Sequence, residues 1–148
     1  MKREDGKRTV VIIAEDDPDD RLLIKDAIRE AAGNTEVRFV SDGAEMLDYL
    51  NHRGRYKDQE QAPHPELILL DLNMPKKSGL EVLEEIKGDP TLRTIPVVVL
   101  TTSRSPEHVS RSYELGGNGY ITKPNSYSEL VSLMENLNKY WFGTVQLP

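Results

Sequence analysis

A chain of 148 residues has the length of one domain, and its 19 basic and 25 acidic residues leave a formal net charge of −6, which argues against a nucleic-acid face. The absence of cysteine excludes disulfides, thiolate metal sites, iron–sulfur clusters and cysteine nucleophiles. No apolar run approaches the ~18–20 residues that cross a bilayer, and no apolar stretch follows the charged start MKREDGKRTV as in a secretory leader, so a cytoplasmic domain free of membrane contact is expected.

Short apolar runs alternate with amphipathic stretches. The first run, Val10–Ala14 (VVIIA), leads into a helix opened by Asp17-Pro18, with Ile24, Ala27, Ile28 and Ala31 on one face and a stop at Gly33-Asn34. The run Val37–Val40 (VRFV) precedes a helix marked by Ala44, Leu47 and Leu50. Asn51–Pro65 is polar, holds one Gly and two Pro, and reads as an enlarged surface loop. Leu67–Leu70 (LILL) comes next, then a helix with Leu80, Leu83 and Ile86 that stops at Gly88-Asp89-Pro90. Val97–Leu100 (VVVL) precedes a helix from Pro106 to about Leu115, with Val109 and Tyr113 one turn apart. Gly119–Ile121 leads into the strongest stripe of all, Leu130, Leu133, Met134, Leu137 and Trp141.

Apolar runs of four or five residues without alternation are strands covered on both faces. Five of them alternating with five helices predict an α/β fold, a (βα)5 doubly wound parallel sheet of the flavodoxin-like kind. The expected limits are an extension over 1–8, a domain over 9–140 and an apolar tail over 141–148.

In such a sheet ligands gather outside the carboxyl ends of the strands. Glu15, Asp16 and Asp17 follow the first run, Asp71 with Asn73 the third, Thr101 and Thr102 the fourth, and Thr122, Lys123 and Pro124 the fifth. Carboxylates crowded at one edge repel one another, and a hard divalent cation such as Mg2+ relieves that repulsion. With the three histidines scattered, zinc has nothing to build on. Lys123 would pair with a carboxylate or a phosphoryl oxygen, and the Thr101 hydroxyl would donate to the same oxygen. A carboxylate nucleophile, a metal, a lysine and a hydroxyl together make a site for phosphoryl transfer onto aspartate. Taken singly these residues have plain readings: Asp17, Asp19 and Asp20 suit a helix N-terminus, Asp71 a turn, Thr101 a strand and Lys123 a solvated surface. Their weight is joint.

The order A-E-D-D, LILLDLNMP with KKSGLEVL, VVVLTT and GYITKP resembles a response-regulator receiver domain of two-component signalling, over residues 9 to about 140. The resemblance implies Asp71 as phosphoacceptor, Asp16 as the more direct Mg2+ ligand with Glu15 acting mainly through water, and Asn73 lending its backbone carbonyl. It implies Thr101 as the switch hydroxyl, Tyr120 as an aromatic switch, and Lys123 as the site lysine, followed by a proline whose bond to it is often cis. Ala14 stands where such domains usually carry valine, and Glu15 where they often carry aspartate.

The enlarged loop and the ending NKYWFGTVQLP resemble the stand-alone regulators paired with phytochrome-type histidine kinases. That implies a sensor kinase as partner, no attached DNA-binding domain, output by protein contact, and homodimers built at this end of the molecule. Trp141, Phe142, Val145 and Leu147 either fold back on their own core or cross to a second subunit. A Mg2+-dependent aspartyl-phosphate phosphatase is the alternative from another class, but it needs an acid two residues after the nucleophile, where this chain has Asn73. Slow self-dephosphorylation is expected, not turnover of an external substrate. A phosphorylation-independent binding module is the third reading, and the full acidic, hydroxyl and lysine set opposes it.

Overall fold

The structure, a computed structural model, describes residues 8–58 and 60–148. Most of the expected 1–8 extension therefore lies outside the described residues. The elements follow in the order β1 (Thr9–Ala14), α1 (Pro18–Ala31), β2 (Thr35–Val40), α2 (Gly43–Leu50), a 3-10 turn at Gly54–Tyr56, β3 (Leu67–Leu70), α3 (Gly79–Gly88), β4 (Val97–Thr101), α4 (Pro106–Glu114), β5 (Gly119–Thr122) and α5 (Tyr127–Gly143). All strand pairs are parallel, in the order β2-β1-β3-β4-β5. The chain first winds outward from β1 to β2 and then returns to β3 on the other side. The carboxyl ends of β1 and β3 thus flank the point where winding reverses, the crevice in which such sheets bind ligands.

The pleat explains why the strand runs are apolar throughout. Ile12, Ala14, Ile68, Leu70 and Val97 face a core built with Met46, Leu47, Tyr49 and Leu50 of α2 and Val82, Leu83 and Ile86 of α3. Their neighbours Val11, Ile13, Leu67, Leu69, Val98 and Leu100 face the opposite core, filled by Ile24, Ala27 and Ile28 of α1 and Leu130, Met134 and Leu137 of α5. No helix among the described residues is long and apolar enough to cross a membrane.

Several details differ from the sequence reading. β2 starts at Thr35, because backbone pairing with Thr9–Ala14 continues past the apolar stretch. In α4, Tyr113 is exposed and the buried residue is Ser112. The Ser112 hydroxyl donates to the His108 carbonyl at 2.8 Å, which satisfies a polar group inside. α5 continues through Trp141 and Phe142, and both pack against the core on the α1 side. The described peptide bonds are all trans, Lys123–Pro124 included, in place of the bond that is often cis in the resembling domains. Trans is the lower-energy isomer of an X-Pro bond by about 0.5–1 kcal/mol.

The enlarged loop is anchored. Tyr56 stacks at a tilt on Tyr49 with ring centroids 5.1 Å apart, Ala62 is fully buried, and the Tyr49 hydroxyl donates to the Pro63 carbonyl at 2.8 Å.

Candidate phosphorylation site

Each site residue is delivered by the end of a strand. Glu15 leaves β1 buried, its N–H donating to the Val40 carbonyl at 3.0 Å. One carboxylate oxygen accepts the Asp17 N–H at 3.1 Å, and the other accepts from Lys123 Nζ. Lys123, just past β5, also donates to Asp71 Oδ2 at 3.0 Å and lies 3.8 Å from Asp20 Oδ2. The other Asp71 oxygen accepts the Asn73 N–H at 3.1 Å. Thr101 closes the group: it is fully buried, its carbonyl accepts the Lys123 N–H at 2.8 Å, and its hydroxyl accepts from Ser103 N–H at 3.4 Å.

The structure therefore brings Glu15, Asp71, Thr101 and Lys123 together. Asp16 is exposed at the rim and Asn73 turns its side chain to solvent. Asp17 caps α1, accepting from the Asp19 and Asp20 N–H groups at 2.8 and 3.2 Å, which is its plain reading. Among the described residues no three Asp, Glu or His side chains already stand together as a metal cluster.

Electrostatics explain the pairing. Burial lifts Glu15 above the ordinary carboxylate range, against the pull of the Lys123 hydrogen bond. Burial pulls Lys123 down, but its bonds to Glu15 and the charge of Asp71 outweigh that and hold it above the ordinary lysine range. One ammonium faces Glu15, Asp71 and, at 3.8 Å, Asp20, with Asp16 exposed next to Glu15, so carboxylates are in excess. All donors are oxygens: those carboxylates and the backbone carbonyl of Asn73. This set matches a hard divalent cation that retains waters.

Two backbone features keep the pocket tight. A Cβ on Gly79 would fall inside contact of the Asp71 carbonyl oxygen and 2.7 Å from Leu72 Cα, so only glycine lets α3 start against the end of β3. Lys76, at φ +65°, reaches Asp42 with 3.5 Å between Nζ and Oδ2 and ties the β3–α3 loop to the start of α2.

The loop after β4 is held from two sides. The Tyr120 hydroxyl donates to the Ser103 carbonyl at 2.8 Å, and Ser103 Oγ bonds His108 Nδ1 at 2.6 Å. A groove lined by Arg104, Thr122, Lys123, Asn125 and Glu129 opens from this loop along β5 and α5.

Sequence reasoning missed Arg21, Ser103 and His108. Arg21 Nε donates to the Glu15 carbonyl at 2.6 Å and Nη2 to Ser41 Oγ at 2.7 Å. One signal was available: a cation in the first turn of a helix opposes the helix dipole, so Arg21 must be held by something else.

Comparison with known proteins identifies the family. The model of the response regulator receiver domain matches residues 11–135. The chain is 40% identical over 148 residues to response regulator Rcp1 of Synechocystis sp. (strain ATCC 27184 / PCC 6803 / Kazusa), covering all of this chain and 99% of Rcp1. The crystal structure of the phosphorylated cyanobacterial phytochrome response regulator RcpA superposes with a TM-score of 0.88 at 43% identity, covering 95% of this chain and 99% of that one. The Mn(2+)-bound form of Rcp1 does so with a TM-score of 0.84 at 41% identity, again over 95% and 99%. With its parallel five-stranded sheet and a family match over most of its length, the chain belongs to the response regulator receiver domains of two-component signalling, and it is similar throughout to phytochrome response regulators.

Proposed function

We propose that this chain accepts a phosphoryl group on Asp71 from a phytochrome-type sensor histidine kinase, in a Mg2+-dependent relay, and signals by protein contact. The observation that carries this reading is Lys123, which joins Asp71 to buried Glu15 beside the buried Thr101 hydroxyl. An Asp71 carboxylate oxygen attacks phosphorus, the P–N bond to the donor histidine breaks, and the imidazole leaves with a proton taken from solvent. Asp16, Asp71 and the Asn73 carbonyl, with Glu15 through water, would hold Mg2+, which when bound would supply charge neutralisation for the transferring group. Lys123 keeps the acceptor carboxylate oriented and then partners a phosphoryl oxygen.

The product adds roughly −1.5 to −2 charges to the pocket. The Thr101 hydroxyl turns its proton to the phosphoryl group, which draws Ser103 inward and loosens the Tyr120 hydroxyl from the Ser103 carbonyl. The conformational change is a shift between two populated arrangements, read out on α4, β5 and α5.

The phosphoacceptor reading has no external turnover, only slow hydrolysis of the acyl phosphate. The Asn73 carboxamide is not acidic and cannot serve as the general acid that a phosphatase would use to assist a leaving group. A protein donor must approach the rim, where Leu22 and Leu23 of α1 are 59% and 47% exposed, an apolar landing beside the acids. Trp141 and Phe142 fold back on their own core but stay half-buried, and their remaining surface, with half-buried Val145 and Leu147, forms the face on which two copies of the chain pair. A cytoplasmic location and the absence of nucleic-acid contacts follow from this reading.

Intact-mass spectrometry after incubation with acetyl phosphate and Mg2+ tests the chemistry. One phosphoryl adduct that requires Mg2+ and is absent in Asp71→Asn is expected. No adduct under any metal condition would leave a binding module independent of phosphorylation. Size analysis before and after labelling tests the dimer.

A further inference from the structure

We infer that Arg21 is a positioning residue for the divalent cation, one that fixes the Glu15–Asp16 peptide so that the Asp16 carboxylate is presented at the pocket rim; this rests on the metal reading above. The Arg21 guanidinium donates to the Glu15 carbonyl at 2.6 Å and to Ser41 Oγ at 2.7 Å, and its carbon lies 5.5 Å from the centroid of the Phe39 ring. The anchor is itself fixed. Ser41 N–H donates to Glu45 Oε1 at 2.9 Å, and Glu45 N–H to Asp42 Oδ1 at 2.8 Å, at the start of α2.

Asp16 consequently hangs between two clamped neighbours. Glu15 is tied through its N–H to Val40 and through its carbonyl to Arg21. Asp17 is tied through its N–H to Glu15 Oε2 and through its carboxylate to the first turn of α1. Asp16 is exposed, so its backbone is set by its neighbours while its carboxylate is open to solvent. A ligand held this way binds without first being ordered.

Charge and positioning make opposite predictions, which makes the idea testable. Removing a cation near a metal pocket should tighten Mg2+ binding by Coulomb's law alone, whereas removing a clamp should weaken it. Arg21→Lys keeps the charge and loses the fork, and Arg21→Met keeps the stem over Phe39 and loses both. Calorimetric titration of the full chain with MgCl2 is expected to show Mg2+ dissociation constants raised roughly tenfold in both variants, the lower end for loss of an outer-sphere partner. Ser41→Ala, which removes only the second anchor, is expected to raise it about threefold. Labelling by acetyl phosphate should recover to the parental maximum at saturating Mg2+, and the metal-free variants should already be folded at the titration temperature by circular dichroism, which a merely unstable variant rescued by metal would not be. If Arg21→Met fails to fold, Arg21→Lys and Ser41→Ala carry the test. Parental protein that binds Mg2+ alongside variants of equal or higher affinity would overturn the role of Arg21 alone. Parental protein that binds no Mg2+ would overturn the metal reading and this inference together.

Discussion

Gly79→Ala tests how tightly α3 is pressed onto Asp71, the proposed acceptor. The added methyl would meet the Asp71 carbonyl oxygen, with Leu72 Cα at 2.7 Å and Asp71 C at 3.0 Å, all backbone atoms that have no rotamer to change. Either α3 retreats by about 1 Å, or the end of β3 does, since a relaxed carbon–oxygen contact is about 3.3 Å. Retreat of α3 lifts Val82, Leu83 and Ile86, each fully buried, and stretches the 3.1 Å bond from Gly79 N–H to the Leu72 carbonyl. Overpacking of this kind costs about 1–3 kcal/mol, and rigid neighbours on both sides put it near the top. Unfolding entropy of about 2.1 cal/mol/K per residue gives ~0.3 kcal/mol/K for this chain, so the melting temperature should fall by roughly 10 °C. Labelling by acetyl phosphate should slow about tenfold to a hundredfold, because the acceptor moves with its carbonyl. Gly88→Ala is the matched control. Its Cβ would meet nothing within 4 Å, so this change at the other end of α3 should leave melting equal or a few degrees higher, the helix gaining up to about 1 kcal/mol. Calorimetric melting and intact-mass time courses of the three proteins decide the matter. Gly79→Ala melting within 2 °C of the parent with an unchanged labelling rate would refute the reasoning.

Tyr49, inside the core, has a phenol that burial pushes from 10 up to about 12. A raised acid stabilises the fold fully below pH 10 and loses that contribution as pH rises towards 12, a slope of up to about 1.4 kcal/mol per pH unit. Tyr49→Phe should cost about 1 kcal/mol at neutral pH through the lost bond to Pro63 and show a shallower loss between pH 10 and 12 in urea titrations; equal slopes would contradict the burial. Lys123→Met strands Glu15 and Asp71 together, and metal-free denaturation at neutral pH should show a loss of about 3–5 kcal/mol, the usual result of breaking a buried pair on one side. A variant as stable as the parent would show that the lysine is not what offsets those charges. Tyr120→Phe removes the donor to Ser103, a bond of about 1 kcal/mol, and should shift the population of the β4–α4 loop about fivefold, visible as changed amide exchange broadening in NMR. An unaltered loop spectrum would dissociate Tyr120 from the switch.

The strand ends were legible because parallel strands buried on both faces must be apolar along their length, so the first polar residue after each run marks the sheet edge. Glu15, Asp71 and Lys123 were found that way, and the structure brings them into contact. α4 was misread because it is short and only weakly embedded: Val109 and Tyr113 imitate a buried stripe while Ser112 occupies the inner position. Arg21, which only its place against the helix dipole hinted at, and Ser103 were missed for a different reason. Arg21 meets Ser41, 20 positions away, and Tyr120 meets Ser103, 17 away, so their roles exist only once separate loops are folded side by side. Met46, Tyr49 and Val82, also buried, lay on helical faces that the sparse apolar pattern did not single out.

Trp141 is the chain's single tryptophan, and it stands 14 residues after the start of α5, edge-on to Tyr140 with ring centroids 5.2 Å apart. A helix rises 1.5 Å per residue, so the indole lies about 20 Å along α5 from the end nearest Lys123. Its fluorescence is therefore deaf to the pocket and attentive to the base of the molecule. Any change in its emission on phosphorylation would report on what happens at the far end of α5, and a silent spectrum would localise the response to the loops around Asp71, with no label needed for either answer.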